Sequence, residues 1–278
     1  MIRRSVFSWA VLLPLVVLTL FPFVVMISTA LKPTPEVMAW PPHWLPQHVA
    51  WGNFAAMWQA ANFGSALMNS LIVAVGGTAL SLAVAVPAAY ALARLDLPGR
   101  GAYRLFLLIT QMLSPILLVL GLFRMAASIP WDGGTLVDTR LGVVLIYGAF
   151  NIAFSVWMLA AYFQTIPRDL EEAAWIDGCT RLHAVIRVFL PMALPAVAVS
   201  FVVTFVACWN EFTVALTLLR DPGRLTLTLQ VVNLVAGRYS VEWNQVMAAT
   251  LLATVPVALV FAIFQRWLVG GLTLGAVK

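Results

Sequence analysis

Charge is the scarcest thing in this sequence. Only 10% of its 278 residues are Asp, Glu, Lys or Arg, against about a quarter in soluble domains. Lysine is rarer still, with Lys32 and Lys278 the only examples. Neither follows a glycine, so the Gly-Lys-Ser/Thr of a phosphate-binding loop is missing and ATP hydrolysis by this chain is not expected. The two cysteines, Cys179 and Cys208, have no CxxC spacing, which argues against a disulfide framework or a zinc site. His43, His48 and His183 also lack ligand spacing, so no metal is expected. The HExxH and GxSxG motifs are absent, which argues against an intramembrane enzyme. No basic cluster is interleaved with aromatics, so nucleic acid is not an expected partner.

What the sequence has instead is apolar length. It is 62% hydrophobic, with a mean hydropathy of +0.96. Runs near 7–31, 66–93, 102–126, 141–163, 192–218 and 245–268 each exceed the roughly 20 residues that cross a bilayer core of about 30 Å. They are too long and too continuously apolar for barrel strands. The expected fold is an all-α membrane bundle of six transmembrane helices, one domain filling residues 1–278. The first run follows Arg3 and Arg4, and Ser28-Thr29-Ala30 faintly resembles a cleavage site. It is longer than the roughly 7–15 residues of a signal-peptide core, so an uncleaved first span is expected.

Loop charges suggest an orientation. With the N-terminus inside, ten basic residues face the cytosol: Arg3, Arg4, Arg94, Arg100, Arg104, Arg168, Arg181, Arg187, Arg266 and Lys278. Six face outward: Lys32, Arg124, Arg140, Arg220, Arg224 and Arg238. Both termini are therefore expected in the cytoplasm. The segment from Lys32 to Phe54 is rich in Pro and Trp and reads as an ordered outer loop with interfacial pieces, or as a simple connector. Pro14, Pro22, Pro87, Pro115 and Pro256 fall inside the runs, where each can kink its helix.

One inner segment, 164–191, concentrates charge: Arg168, Glu171, Glu172, Asp177, Arg181 and Arg187. Too many ionised groups would need burial for it to span lipid. Pro167 and Asp169 suit a helix start, with Asp capping free N–H groups. Glu171 and Glu172 fall near the positive helix end. Leu170, Ala173, Ala174 and Asp177 share one face, and Gly178 is a natural stop. Two acidic-fronted turns with small alanines suit docking into a groove on another protein. A solvated amphipathic loop is the other reading.

The stretch "EEAAWIDGCTRLHAVIRVFLPMALP" resembles the cytoplasmic EAA loop of ABC importer permeases, matched at Glu172, Ala173, Ala174, Asp177, Gly178, Phe189, Leu190, Pro191 and Pro195. Cys179 departs from the Ala usual there. The ending "QRWLVGGLTLGAVK", "WNEF" at Trp209–Phe212 and "YFQTIPRDLEEAA" are similar to the maltose-type, MalG-like permeases. The resemblance covers essentially the whole chain. It implies a plasma-membrane permease with no catalytic residue and no cofactor of its own. Glu171, Glu172, Ala173, Ala174, Asp177 and Gly178 would couple to the ATPase subunit. Gly271, Leu272, Thr273, Gly275 and Lys278 of a cytoplasmic tail, 269–278, would also touch it. The implied partners are a second, MalF-like permease, a dimer of ATP-binding subunits holding ATP and Mg, an extracytoplasmic sugar-binding lipoprotein, and membrane lipid. A homodimer stays open. Together with the excess of Arg over Lys, expected of a GC-rich coding sequence, these matches suggest the permease of the mycobacterial trehalose-recycling importer or a close actinobacterial relative. The implied mechanism is alternating access driven by ATP on the partner.

A neutral sugar needs hydrogen-bond partners and aromatic faces. Asn69, Gln111, Asn151, Trp157, Trp209, Asn210 and Glu211 are such groups in or near the runs, with interhelical hydrogen bonding as the alternative for each. Glu211 is the costliest to bury, and Arg124 is a possible counter-charge. An ion-gradient-driven secondary transporter is the competing function.

Overall fold

The structure is a computed structural model that describes residues 2–236 and 241–274, with side chains between Leu12 and Trp267. In chain order the helices are α1 (Ile2–Ala30), α2 (Thr34–Val37), α3 (Gly52–Ala60), α4 (Phe63–Arg94), α5 (Arg100–Met112) and α6 (Pro115–Ser128). A two-stranded turn follows, β1 (Pro130–Trp131) and β2 (Gly134–Thr135). Then come α7 (Arg140–Phe163), α8 (Asp169–Ile176), α9 (Arg181–Ala184), a π-turn (Val185–Phe189), α10 (Leu190–Asn210), α11 (Thr213–Leu218), α12 (Leu227–Asn233) and α13 (Trp243–Leu274).

Five segments are long and apolar enough to cross a membrane: Leu12–Ala30, Phe63–Arg94, Arg140–Phe163, Arg181–Asn210 and Trp243–Trp267. The pair α5 and α6 makes a sixth only as a broken span, bent by 95°. The run 102–126 is therefore not the continuous helix its hydropathy suggests. Pro115 forces the break: Ser114 before it is extended (ψ 132°), and Leu113 is extended as well (ψ 114°). The expected fifth span, 192–218, also differs. Its helix stops at Asn210, Glu211 is extended (ψ 129°), and α11 restarts at Thr213. At its other end the helical segment reaches back to Arg181. Pro14, Pro22, Pro87 and Pro256 lie within unbroken helices. The expected tail at 269–278 is helical as far as Leu274.

Contacts divide the chain into two compact units. One comprises Met1–Leu67 with Leu229–Pro256. In it the segment from Lys32 to Phe54 is ordered by amide side chains. Asn53 donates to the carbonyls of Ala30 and Lys32, both at 2.8 Å, and Asn244 donates to Asn53 Oδ1 at 3.1 Å. The Thr34 hydroxyl donates to the Glu242 carboxylate. Trp40, Trp44 and Trp51 are exposed, as suits a membrane–water boundary.

The other unit is Met68–Thr228 with Val257–Lys278. Its interior is built on close helix approach at small residues. A Cβ on Gly76 would sit 3.1 Å from Val144, one on Gly77 3.1 Å from Tyr147, and one on Gly148 2.7 Å from Leu80. Towards the end of α4 the core becomes larger, with Leu92, Leu159, Phe163 and Phe189 packed around Ala85, Ala89 and Ala193.

Candidate coupling site and polar interior

Helix α8 forms for local reasons, some of them unlike those expected. Arg168 takes the N-cap position and no side chain caps it, so Asp169 is the first helical residue rather than the cap. Asp169, Glu171 and Glu172 all lie in the first turn, where the helix dipole favours them. The stop is as expected. Gly178 has φ +86°, its N–H donates to the Trp175 carbonyl at 3.1 Å, and the Cys179 N–H reaches back to Ala174 at 2.9 Å. This pattern satisfies the last carbonyls of the helix.

The faces of α8 separate residues that the sequence reading grouped. Glu171 and Ala174 are buried, whereas Glu172, Ala173, Trp175, Ile176, Asp177 and Gly178 are exposed. Ala174 lies at the edge of the face of Leu170, Ala173 and Asp177, between Leu170, about 40° away, and Glu171, about 60° away at helical spacing, and its burial removes it from the outward part. Glu171 is not presented outward either. Its Oε1 lies 2.8 Å from Arg94 Nε, with both side chains about 5–6% exposed, and its Oε2 accepts from the Tyr90 hydroxyl at 2.7 Å. The Arg94 contact is one of charge, because the Nε–H is not aimed at the carboxylate oxygen. Arg94 Nη2 donates to the Ile166 carbonyl at 2.7 Å.

Beyond α8, the Thr180 hydroxyl accepts from the His183 N–H and so caps α9. Phe189 ends the π-turn, enclosed edge-on by Tyr90 and Phe163. Neither Arg94 nor Tyr90 is marked by local spacing. Their partner lies in another stretch of chain, and the one available signal is an arginine ending an apolar run. Of the tail residues, Gly271, Leu272 and Thr273 fall on the α13 backbone, while Gly275 and Lys278 lie outside the described residues.

The seven polar candidates for a sugar path have different surroundings. Asn69 is buried and committed, donating to the carbonyls of Gly223 at 3.0 Å and Leu225 at 2.9 Å. Gln111 and Asn210 are exposed, and Trp157 is 47% exposed. Trp209 is buried and stacks on Phe205. Asn151 donates to the Tyr147 carbonyl at 2.8 Å and approaches the Cys208 sulfur at 3.5 Å. Glu211 does not pair with Arg124. Among the described residues the ion pairs are Arg94–Glu171 and Arg224–Asp221. The Glu211 carboxylate instead caps α11, accepting from the Val214 N–H at 3.0 and 3.1 Å and from Ala215 at 3.4 Å. A chain of hydroxyls missed in the sequence links three helices: Ser81 to Ser155 at 3.3 Å and Ser155 to Thr204 at 3.1 Å. Small hydroxyls inside apolar runs were its only signal.

Comparison with known proteins places this arrangement in a family. Residues 83–273 match the model described as "Binding-protein-dependent transport system inner membrane component". The permease protein SmoH of the sulfoquinovosyl glycerol transport system of Agrobacterium fabrum is 33% identical, over 93% of this chain and 89% of that one. The permease protein SugB of the trehalose transport system of Mycobacterium tuberculosis is also 33% identical, over 99% and 98%. Among solved structures, a bacterial ABC transporter that imports the acidic polysaccharide alginate has a chain of the same fold, with a TM-score of 0.78 at 23% identity over 95% of this chain and 96% of that one. The chain therefore belongs to the family of inner-membrane components of binding-protein-dependent transport systems, the multi-pass, non-catalytic permease subunits of ABC importers, and its relatives there include sugar permeases.

Proposed function

We propose that this chain is one half of the translocation path of a sugar importer, coupled through α8 to a separate ATPase that binds ATP and Mg. The observation that carries the reading is the two-sided character of α8. Its inner face is anchored by Glu171, which leaves Glu172, Ala173, Trp175, Ile176 and Asp177 outward on a short capped rod. Small Ala173 permits close approach, and the acids suit basic groups on a partner. Such a rod transmits displacement because packed elements switch between discrete arrangements rather than stretching. The other half of the path is a sister permease of MalF-like type, and an extracytoplasmic binding lipoprotein delivers the solute. Both termini lie in the cytoplasm, in keeping with the distribution of basic residues. Family membership sets the ion-gradient alternative aside.

Trehalose or a related disaccharide is the proposed cargo. Support comes from the end-to-end correspondence with the trehalose relative and from the neutral polar groups of the interior. Asn210, which is exposed, is the pathway residue we favour, since Asn69, Asn151 and Glu211 each hold backbone groups. The test is uptake of labelled trehalose into proteoliposomes that hold the complete importer and ATP. Accumulation that requires ATP and is competed by unlabelled trehalose supports the reading. Accumulation that persists without ATP, or is indifferent to trehalose, refutes it.

A further inference from the structure

Arg94 ends the span made by α4, and its guanidinium meets three separate parts of the cytosolic apparatus. Nε lies 2.8 Å from Glu171 on α8, Nη2 donates at 2.7 Å to Ile166 in the turn before α8, and the guanidinium lies 5.1 Å from the ring centroid of Phe189. Tyr90, one turn earlier on α4, occupies the other oxygen of Glu171 and also meets Phe189, with ring centroids 4.9 Å apart. Phe163, at the end of α7, closes on the same ring at 5.0 Å. Ends of α4, α7 and α8 and the π-turn before α10 are thus gathered on one ion pair and one phenyl ring.

Burying two opposite charges is a poor way to gain stability, and its best-attested use is to fix one arrangement among several. A π-turn is a wide, irregular turn that is often found at functional sites. Here it is the one irregular link between α9 and α10, and its last residue is the ring that Arg94 covers.

We propose that Arg94 is a positioning residue for coupling: through Glu171, Ile166 and Phe189 it makes α8 and the cytosolic end of α4 move as one body. A push on α8 by a nucleotide-driven partner then turns the spans instead of being lost in the loop. This rests on the reading of α8 as the docking element.

The test uses the purified importer with all its subunits. Spin labels go on Leu95→Cys and Leu170→Cys, both exposed positions, with Cys179→Ser removing the less buried native thiol. Pulsed EPR distances are read without nucleotide and after trapping with ATP and vanadate. The expected result is the same narrow distance in both states for Arg94, and a broad, nucleotide-dependent distance for Arg94→Gln. Arg94→Lys, which keeps the charge, should recover the narrow distance in part. A purely architectural role would lower the yield of importer without making the distance depend on nucleotide. If Arg94→Gln does not assemble, Glu171→Gln serves in its place, because it removes the charge and keeps an acceptor for Tyr90. A distance that shifts between states with Arg94 present, or stays narrow in the charge-neutral variant, overturns the proposal. Glu172→Lys tells the two failures apart. If the ATPase still co-purifies with it, the docking reading fails. If the ATPase is lost while Arg94→Gln keeps the narrow distance, only the present inference fails.

Discussion

The hydroxyl of Tyr147 on α7 donates to the backbone carbonyl of Glu211 at 3.0 Å, in the bend where α10 gives way to α11. The bend is thereby fastened to a neighbouring helix at a carbonyl that the helix itself no longer uses. Replacing Tyr147 by Phe removes that donor and leaves the carbonyl only the longer bond from the Thr228 hydroxyl, at 3.4 Å. The expected cost is about 0.5–1.5 kcal/mol, that of one hydrogen bond. Thermal unfolding of the detergent-solubilised importer should register it as a lower midpoint.

The carboxylate of the same Glu211 is occupied by the Val214 and Ala215 N–H groups. Glu211→Gln retains an oxygen acceptor for the cap, so uptake should change little. Glu211→Leu removes the acceptor and should cost about 0.5–2 kcal/mol, the usual loss for a helix cap. A Gln variant that abolishes uptake while assembling normally would assign the charge itself to transport.

Gly148→Ala should be destabilising by about 1–3 kcal/mol. The new methyl would sit 2.7 Å from Leu80 Cδ2 and 3.1 Å from its Cβ, so rotation of the leucine tip does not relieve the clash. Adding Leu80→Ala should return part of the loss, and the comparison of three unfolding midpoints checks it.

At Gly178 the surrounding space is open and the backbone angle alone sets the requirement. Gly178→Ala should cost about 1–2 kcal/mol for the left-handed conformation, and Gly178→Asn less. Gly178→Pro should be worse than either, because it also deletes the N–H bonded to Trp175. Co-purification of the ATPase, compared across the three variants, should follow that order.

Glu172→Lys concerns the exposed face of α8. Its effect on folding should be small, within about 0.5 kcal/mol for a surface change, while co-purification of the ATPase and uptake both fall. Unchanged attachment would remove α8 from the role assigned to it.

The bundle and the position of α8 were legible in the sequence because they are written locally. Long apolar runs mark spans, and acids followed by Gly178 mark a short capped helix. The inward turn of Glu171 was not legible. It depends on Arg94 and Tyr90, which reach it only once α4 and α8 have packed. Hydropathy also hid the break at Ser114, since an average over side chains says nothing of the backbone angle that Pro115 imposes on its predecessor. Among the polar candidates, residue type alone could not tell an asparagine committed to Gly223 and Leu225 from one free to meet a solute.

The kink between α5 and α6 carries an obligation of its own. A fresh helix begins there at Pro115, which has no N–H; the Leu117 N–H is taken by the Ser114 carbonyl at 3.0 Å, but no side chain supplies an acceptor to the Ile116 N–H, in a stretch whose apolar side chains Met112, Ile116 and Leu117 are widely exposed. Hydrocarbon offers that amide hydrogen nothing to bond with. If this corner lies within a bilayer, water or polar atoms from elsewhere would have to meet that group. A solitary copy surrounded by acyl chains would be thirsty at that point.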